Sequence, residues 1–309
     1  IRAASEWSAS GNNANTHGAF AAANATDDLL ERARGVVAQL LDADPQSVVF
    51  GANMTTLTFA FTRAVARTLQ PGDRVVGTRL DHDANVSPWR IACEESGAEH
   101  VLAPFSTVDG RLDMDALAAL ITSNTKWVAV TGASNLIGTM PDVKAVVALA
   151  HRVGARVFVD AVHLAPHMPV SVRDIGCDVL ATSPYKWYGP HAGVLCIEPN
   201  LLNALPVAKV RPADDVGPRR FETGTPNFEN IAATEAAARI CSGTLSSEAL
   251  VQFSGACGPE TQEVAARLAD PRNQQRAVQQ RQRDVAGNAV VQALDAARAG
   301  QQQRAVAVV

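Results

Sequence analysis

Two residues that could carry out covalent chemistry follow apolar segments near the middle of the chain. The segment Val157–Val159 is apolar throughout and ends on the carboxylate of Asp160, and Lys186 follows the next apolar segment among aromatic residues. A buried parallel strand with an acid at its carboxyl end is where α/β folds place ligand chemistry. A lysine in an apolar setting can act as a nucleophile. The sequence therefore predicts a site that combines a buried acid with a nucleophilic lysine.

The spacing around the lysine decides between this interpretation and a simpler one. A lone aspartate or lysine at a strand end is more often a solvated loop residue. Here Ser183 stands three residues before Lys186, and the Gly-Pro-x-x-Gly run Gly189–Gly193 follows it. An aspartate and a lysine at neighbouring strand ends suit pyridoxal phosphate, because the lysine forms a Schiff base and the acid keeps the pyridinium nitrogen protonated.

Two motifs carry a resemblance to a known family. Asp160-Ala-Val-His163 and Ser183-Pro-Tyr-Lys186-Trp-Tyr-Gly189-Pro-His-Ala-Gly193 resemble the cofactor signature of class V aminotransferases, in particular the cysteine desulfurase-like group. The resemblance covers roughly residues 12–240. It implies the PLP-dependent transferase-like α/β fold (fold type I), with a mostly parallel seven-stranded sheet in a large three-layer domain. It also implies pyridoxal 5'-phosphate as cofactor and a small amino acid as substrate.

The resemblance implies catalytic roles for three residues. Lys186 would form the internal aldimine and, once released, move the Cα proton of the substrate. Asp160 would stabilise the electron sink. His82, in the motif Asp81-His-Asp-Ala-Asn85, would stack on the pyridine ring and assist proton transfer, although a histidine at such a junction is usually structural.

The phosphate contacts are expected at a turn and at the lysine loop. Gly51–Thr56 is a turn of small residues before a helix, where free backbone N–H groups and the helix dipole favour an anion, although a threonine there is more often only a cap. The resemblance implies phosphate contacts from Met54 through its backbone, Thr55, Ser183 and Tyr185. Tyr185 departs from the family's Ser-x-His-Lys pattern, so its contact must come from a phenol or be lost.

Three further residues take roles from the resemblance. Asn135 and His163 would contact the phenolic oxygen of the cofactor, although an asparagine at a strand end is otherwise most often a turn residue. Thr225, in the motif Arg219–Asn227, would reach across a dimer interface to the partner's phosphate. This role implies a homodimer with composite active sites, and the alternative is a simple turn before a helix.

The order of elements predicts the architecture. Strands and helices alternate over residues 48–197, which predicts a mostly parallel, doubly wound sheet with right-handed crossovers. The candidate residues up to Lys186 each follow a strand and should meet at the carboxyl edge of this sheet. We divide the chain into an irregular N-terminal segment 1–25, a large α/β domain 26–240 and an atypical, partly helical C-terminal segment 241–309.

The sequence also makes specific predictions for the N-terminal and C-terminal parts of the chain. Thr26 or Asp27 is expected to cap the first helix, and Ala277–Ala299 is expected to form an amphipathic helix. The family's small C-terminal domain, with its substrate-binding arginine and desulfurase cysteine, is not recognised beyond about Ile240. The family's segment ahead of Asn13 is not recognised either. A naturally short chain, a shifted reading frame and an incomplete chain all stay open.

Composition excludes several classes. The net charge of −4 offers no electrostatic case for nucleic acid or an anionic membrane. Apolar runs such as Val143–Ala150 are too short to span a bilayer, and the first residues lack the pattern of a secretory signal. The cysteines show no C-x-x-C spacing, so we expect a cytoplasmic protein without a disulfide framework or metal site. They are Cys93, Cys177, Cys196, Cys241 and Cys257.

Three functions remain in competition at this point. The first is a PLP-dependent enzyme acting on an amino acid, with desulfuration, transamination, epimerisation and β-elimination (lyase chemistry) all open. The second is a catalytically idle dimeric relative that serves as a binding or scaffold protein. The third, a Rossmann-type nucleotide binder, is disfavoured because no G-x-G-x-x-G follows a predicted strand.

Overall fold

The computed structural model describes residues 1–12 and 14–243. The helix expected at 277–299 and almost all of the expected C-terminal segment lie outside the described residues. The strands are β1 Val48–Gly51, β2 Arg74–Thr78, β3 Glu99–Ala103, β4 Thr125–Thr131, β5 Arg156–Asp160, β6 Val179–Thr182 and β7 Gly193–Ile197. The helices are α1 Arg2–Ala9, α2 Ala21–Leu41, α3 Met54–Ala66, α4 Ser87–Ser96, α5 Met114–Leu120, α6 Val143–Arg152, α7 Val172–Ile175, α8 Pro199–Ala204 and α9 Phe228–Cys241.

The seven strands form one sheet in the order β1-β7-β6-β5-β4-β2-β3. Strand β7 is antiparallel to both of its neighbours, β1 and β6, and the remaining pairs are parallel. It follows that β1 runs in the same direction as β2 to β6. The carboxyl ends of six strands and the amino end of β7 therefore share one edge, which confirms the expected mostly parallel α/β sheet.

The sheet is buried on both faces. Successive residues of a strand point to opposite faces, and in β5 the side chains of Val157 and Val159 pack in one core cluster while Phe158 packs in the other. The first cluster includes residues of α2, α5, α6 and α9, and the second includes residues of α3, α4 and α8. This arrangement gives the three layers expected from the continuous apolar strands.

The N-terminal expectations are wrong in part. Residues 1–25 are not irregular throughout, because α1 occupies Arg2–Ala9 and α2 begins at Ala21 with Phe20 as its N-cap; the described residues between the two helices form neither helix nor strand. The alanine content supports helix there, and α1 is held by packing on α9, with Trp7 against the core. Thr26 does not cap α2 but lies inside it, where its hydroxyl donates a hydrogen bond to the carbonyl of Ala14 at 2.7 Å.

Among the helices that the structure describes, none combines the length and the apolar character needed to cross a bilayer.

Candidate active site

A pocket opens at the edge of the sheet where the six parallel strands end. Nine of the ten residues singled out in the sequence line it: Met54, Thr55, His82, Asn135, Asp160, His163, Ser183, Tyr185 and Lys186. The tenth, Thr225, is exposed and lies outside this pocket. The pocket is also lined by residues that sequence reasoning missed, namely Asn53, Ala84, Thr131, Ala133 and Val162.

Asp160 ends β5 in the middle of the sheet, paired in register with Thr131 of β4 and Ala181 of β6. The residue is only 4% exposed. Its Oδ1 accepts a hydrogen bond from the backbone N–H of Val162 at 2.9 Å, and Oδ2 has no hydrogen-bond partner among the described residues. Burial raises the pKa of Asp160 to about 6, against the lowering effects of the Val162 amide, His82 and Lys186. The site thus presents a buried carboxylate with one oxygen free for a cationic donor.

Lys186 stands in a 3₁₀ turn over Pro184–Trp187, directly after β6. Trp187 anchors this turn, because its indole N–H donates to the hydroxyl of Thr182 at 3.2 Å. Tyr188 ends the turn in the left-handed conformation, at φ 69°. The Nζ of Lys186 lies 5.6 Å from the centroid of the Tyr185 ring, which in turn stacks on His191 at 5.2 Å.

The other lysines of the chain are engaged elsewhere. Lys126, Lys144 and Lys209 pair with Asp73, Asp174 and Asp215 at distances of 3.6, 2.7 and 2.8 Å. Lys186 has no carboxylate within ion-pair distance among the described residues. Of the four lysines in the sequence, the one in the pocket is therefore the one whose amine is left available for a ligand.

His82 caps the short 3₁₀ turn Asp83–Asn85 that follows β2. Its Nδ1 accepts a hydrogen bond from the backbone N–H of Ala84 at 3.0 Å. Because a ring nitrogen that accepts carries no hydrogen, the neutral imidazole holds its hydrogen on Nε2. The backbone of the turn therefore selects one tautomer of a ring that lines the pocket.

His163 lies three residues beyond Asp160 and also lines the pocket. Its ring packs edge-on against His167 at 5.3 Å, and its buried Nδ1 has no hydrogen-bond partner among the described residues. Burial lowers the pKa of His163 below its usual value, and the positive charges of Lys186 and His167 lower it further. A neutral ring with an unpaired buried nitrogen needs a partner, and a ligand oxygen in the pocket would supply one.

The turn between β1 and α3 forms the anion-binding side of the pocket. Asn53 caps α3, and its side-chain oxygen accepts from the backbone N–H and the hydroxyl of Thr56 at 2.8 and 2.9 Å. The N–H groups of Met54 and Thr55, in the first turn, have no protein acceptor within the described part of the chain. A helix amino end with free N–H groups suits a phosphate. The asparagine cap was visible in the sequence, but its contribution to the pocket required the fold.

Gly193, at the start of β7, sets how closely β7 approaches the turn between β1 and α3. A Cβ at this position would lie 2.3 Å from the carbonyl carbon of Asn53 and 2.6 Å from the nitrogen of Met54. Both contacts are with backbone, which cannot move aside as the end of a side chain can. The absence of a side chain therefore lets β7 lie against the anion-binding turn.

Replacing Gly193 by alanine is expected to destabilise the protein by about 1–3 kcal/mol, because the new methyl group would displace the turn. Urea unfolding measures this change. Gly35→Ala is the matched control, since Gly35 lies inside α2 with nothing near its added Cβ, and it should stabilise by about 0.5–1 kcal/mol. Equal unfolding midpoints for the two variants would contradict the close approach.

The described cysteines stand apart from the pocket. Cys93, Cys177 and Cys196 are buried free thiols whose pKa values burial raises. Cys241 is half-buried, and its Sγ donates to the carbonyl of Trp187 at 3.4 Å. None of these four lines the pocket. Cys257 lies outside the described residues.

The donor set of the pocket fits pyridoxal phosphate. Asp160 offers a free buried oxygen to a pyridinium nitrogen, the amino end of α3 offers N–H groups to a phosphate, and Lys186 offers an amine to an aldehyde. The fold and the site together are those of an α/β protein in which a lysine and a buried aspartate, at the same edge of the sheet, are placed to hold pyridoxal phosphate.

Comparison with known proteins agrees with this class. The family model for class-V aminotransferases matches residues 1–295, and the chain belongs to that family. It is 36% identical over 195 residues to a cysteine desulfurase of Enterobacter sp. (strain 638), covering 59% of this chain and 48% of that protein. It is also 36% identical over 225 residues to a cysteine desulfurase of Pectobacterium atrosepticum, covering 67% of this chain and 54% of that protein. The chain thus spans about half the length of the curated relatives it matches.

Solved structures show the same fold. The cysteine desulfurase CsdA from Escherichia coli matches with a TM-score of 0.69 and 27% identity, covering 82% of this chain and 68% of that one. The apo cysteine desulfurase from Thermococcus onnurineus NA1 matches with a TM-score of 0.72 and 26% identity over the same shares of the two chains. These likenesses confirm the predicted family and the predicted α/β fold.

Proposed function

We propose that this protein is a pyridoxal 5'-phosphate-dependent enzyme that acts on an amino acid, with Lys186 as the residue that binds the cofactor covalently. The observation that carries the proposal is the presence of Lys186 and the buried Asp160 in one pocket. Among the described residues, the lysine has no carboxylate within ion-pair distance and one oxygen of the aspartate has no hydrogen-bond partner. When bound, this cofactor supplies an electron sink that stabilises negative charge at the Cα of an amino acid.

The residues of the pocket divide the remaining tasks. Asp160 holds a proton on the pyridine nitrogen, because a buried carboxylate stabilises the adjacent positive charge. Lys186 Nζ would accept the proton from Cα of the substrate, and His82 Nε2, in the same pocket, would assist. Asn135 and His163 would bind the phenolic oxygen of the cofactor. Its phosphate would be held by the amino end of α3 with Thr55, together with Ser183 and Tyr185.

The relatives support L-cysteine as the first substrate to test, since those compared above are named cysteine desulfurases. The described thiols do not line the pocket, so a sulfur-accepting cysteine is not among them. Transamination, epimerisation and β-elimination would use the same lysine and aspartate. Release of sulfide, alanine or pyruvate, or inversion at Cα, identifies which reaction the enzyme performs.

Reduction with borohydride tests the proposal directly. The protein reconstituted with pyridoxal phosphate should be yellow, and borohydride should fix the cofactor to a single lysine. Because the sequence contains four lysines, peptide mass mapping resolves them unambiguously. We expect the label on Lys186. A label spread over Lys126, Lys144 and Lys209, or no label at all, would sink the proposal.

The proposal includes a homodimer in which Thr225 reaches the cofactor phosphate of the partner subunit. It is supported by the exposure of Thr225 outside its own pocket and by large exposed apolar side chains on pocket loops, including Leu136 at 85% and Tyr188 at 83%. Sedimentation equilibrium should give a dimer, and a monomer with full cofactor affinity would refute it. A cytoplasmic location is also proposed, because the described cysteines are free thiols.

A further inference from the structure

Two side chains on either side of His82 are joined to each other across the turn that carries it. The Asn85 side-chain N–H donates to Oδ1 of Asp81 at 2.7 Å, so the pair brackets residues 82–84. Neither Asp81 nor Asn85 lines the pocket, and the proposed function assigns neither of them a task. Asn85 is fully buried, and its side chain makes its hydrogen bonds within the protein.

The pair is anchored to rigid elements on both sides. The second oxygen of Asp81 is hydrogen-bonded to the hydroxyl of Thr78, the last residue of β2. The Asn85 side-chain oxygen accepts from the indole N–H of Trp89 at 3.1 Å, and Trp89 is a fully buried residue of α4. The turn is therefore tied at one end to the central sheet and at the other end to a packed helix.

We infer that Asp81 and Asn85 are positioning residues that hold the His82 ring in place over the pocket. Their bond keeps the turn closed, and the closed turn brings the Ala84 N–H onto His82 Nδ1. The consequence for catalysis rests on the proposed function, because it concerns how His82 meets the cofactor. The placement and tautomer of the ring are properties of the cofactor-free chain and are testable without it.

The protonation of Asp81 sharpens the inference. Burial raises the pKa of Asp81 to about 8, and the negative charge of Asp160 raises it further, while its bonds with Thr78 and Asn85 lower it. At neutral pH the group is thus mostly a neutral acid, whose Oδ2–H can donate to the Thr78 hydroxyl while Oδ1 accepts from Asn85. An asparagine at position 81 can form the same two bonds, with its N–H₂ donating to Thr78.

The same turn offers a matched control. The Ser87 hydroxyl donates to Oδ1 of Asp83 at 2.8 Å, which is another side-chain bond between residues four apart. This second bond is exposed. It joins the turn to Ser87, the first residue of α4, but it has no hydrogen bond to β2 among the described residues. The effect of losing the Asp83–Ser87 bond can therefore be compared with the effect of losing the Asp81–Asn85 bond in the same turn.

The experiment uses the full chain labelled with ¹⁵N in histidine. Ring-nitrogen NMR of the cofactor-free protein reports the tautomer of His82, assigned through its loss in His82→Gln, and titration with pyridoxal phosphate gives the dissociation constant. Asp81→Ala and the isosteric Thr78→Val should shift the His82 nitrogen signals and weaken cofactor binding about tenfold, the effect of losing roughly one hydrogen bond. Asp81→Asn and Ser87→Ala should retain the wild-type signals and affinity.

The outcomes separate the inference from the function on which it rests. His82 signals unchanged in a folded Asp81→Ala protein would overturn the positioning role, and Thr78→Val decides if Asp81→Ala does not fold. Asp81→Asn signals displaced as far as those of Asp81→Ala would overturn it too. A wild-type protein that binds no pyridoxal phosphate refutes the proposed function instead, and the His82 signals still decide the role of Asp81.

Discussion

Replacement of Lys186 by alanine is expected to leave a folded, colourless protein whose activity on amino acids falls by about 10⁴-fold or more. The reason is that no other amine can take its place. The three remaining lysines are each held in an ion pair with an aspartate, and none of them lines the pocket. Loss of this one side chain removes both the covalent attachment of the cofactor and the base for the Cα proton.

Two measurements check this expectation. The visible absorbance after reconstitution reports covalent attachment, and turnover of L-cysteine and a panel of other amino acids reports activity. Lys209→Ala is the matched control, because Lys209 is also half-buried but pairs with Asp215 away from the site. It should keep the wild-type spectrum and rate. A yellow Lys186→Ala protein that turns over at the control rate would refute the assignment of the lysine.

Replacement of Asp160 by asparagine is expected to lower activity on the order of 10³-fold while leaving the fold intact. The amide is nearly isosteric and its oxygen can still accept from the Val162 N–H. It carries no charge, however, and therefore cannot stabilise a positive pyridinium nitrogen. Asp178→Asn is the matched control, because Oδ2 of Asp178 likewise accepts a backbone N–H bond, from Val157 at 2.8 Å, but at the opposite edge of the sheet.

The pH dependence of cofactor affinity in the wild type and in Asp160→Asn reports the contribution of the Asp160 charge. Because the pKa of Asp160 lies near 6 in the cofactor-free protein, the carboxylate forms as the pH rises through that value. Cofactor affinity should therefore increase more steeply between about pH 5 and 7 in the wild type than in Asp160→Asn. Parallel affinity profiles for the two proteins would contradict the role given to this carboxylate.

The stability of the cofactor-free protein should depend on pH with the opposite sign. The folded-state pKa is raised from 3.8 to about 6, so the folded state prefers the neutral acid. The stability this contributes is fully present below about pH 4 and is lost as the pH rises through 6. The loss amounts to at most about 3 kcal/mol. Urea unfolding at several pH values should show it in the wild type relative to Asp160→Asn.

Most of the large domain followed from local pattern. The alternation of strands and helices predicted over residues 48–197 is present, from β1 at Val48–Gly51 to β7 at Gly193–Ile197. Buried parallel strands are continuous apolar runs and are punctuated by turn residues, so their position depends little on distant contacts. The expectation for residues 1–25 failed in part for the opposite reason, since α1 is held by its packing on α9, more than two hundred residues away.

The site shows the same division. Residue types and spacing were sufficient to select Lys186, Asp160 and His82, because parallel strands place their carboxyl ends at one edge whatever the details of packing. The roles of Asp81 and Gly193 were not accessible in this way. The hydrogen bonds of Asp81 with Thr78 and Asn85, and the close contact of Gly193 with the backbone of Asn53, cannot be predicted from the local sequence pattern.

Sequence alone was thus enough to establish the family, the order of strands and helices, and the residues that suit one cofactor. The tertiary structure was needed to establish which tautomer His82 adopts. It was also needed to show, over the residues it describes, which oxygen of Asp160 has no hydrogen-bond partner and which lysine has no paired carboxylate. The physical reason is that hydrogen bonding, burial and charge depend on atoms brought together from distant parts of the chain. Residue type sets what a side chain can do, and its surroundings set its charge, its tautomer and its free atoms.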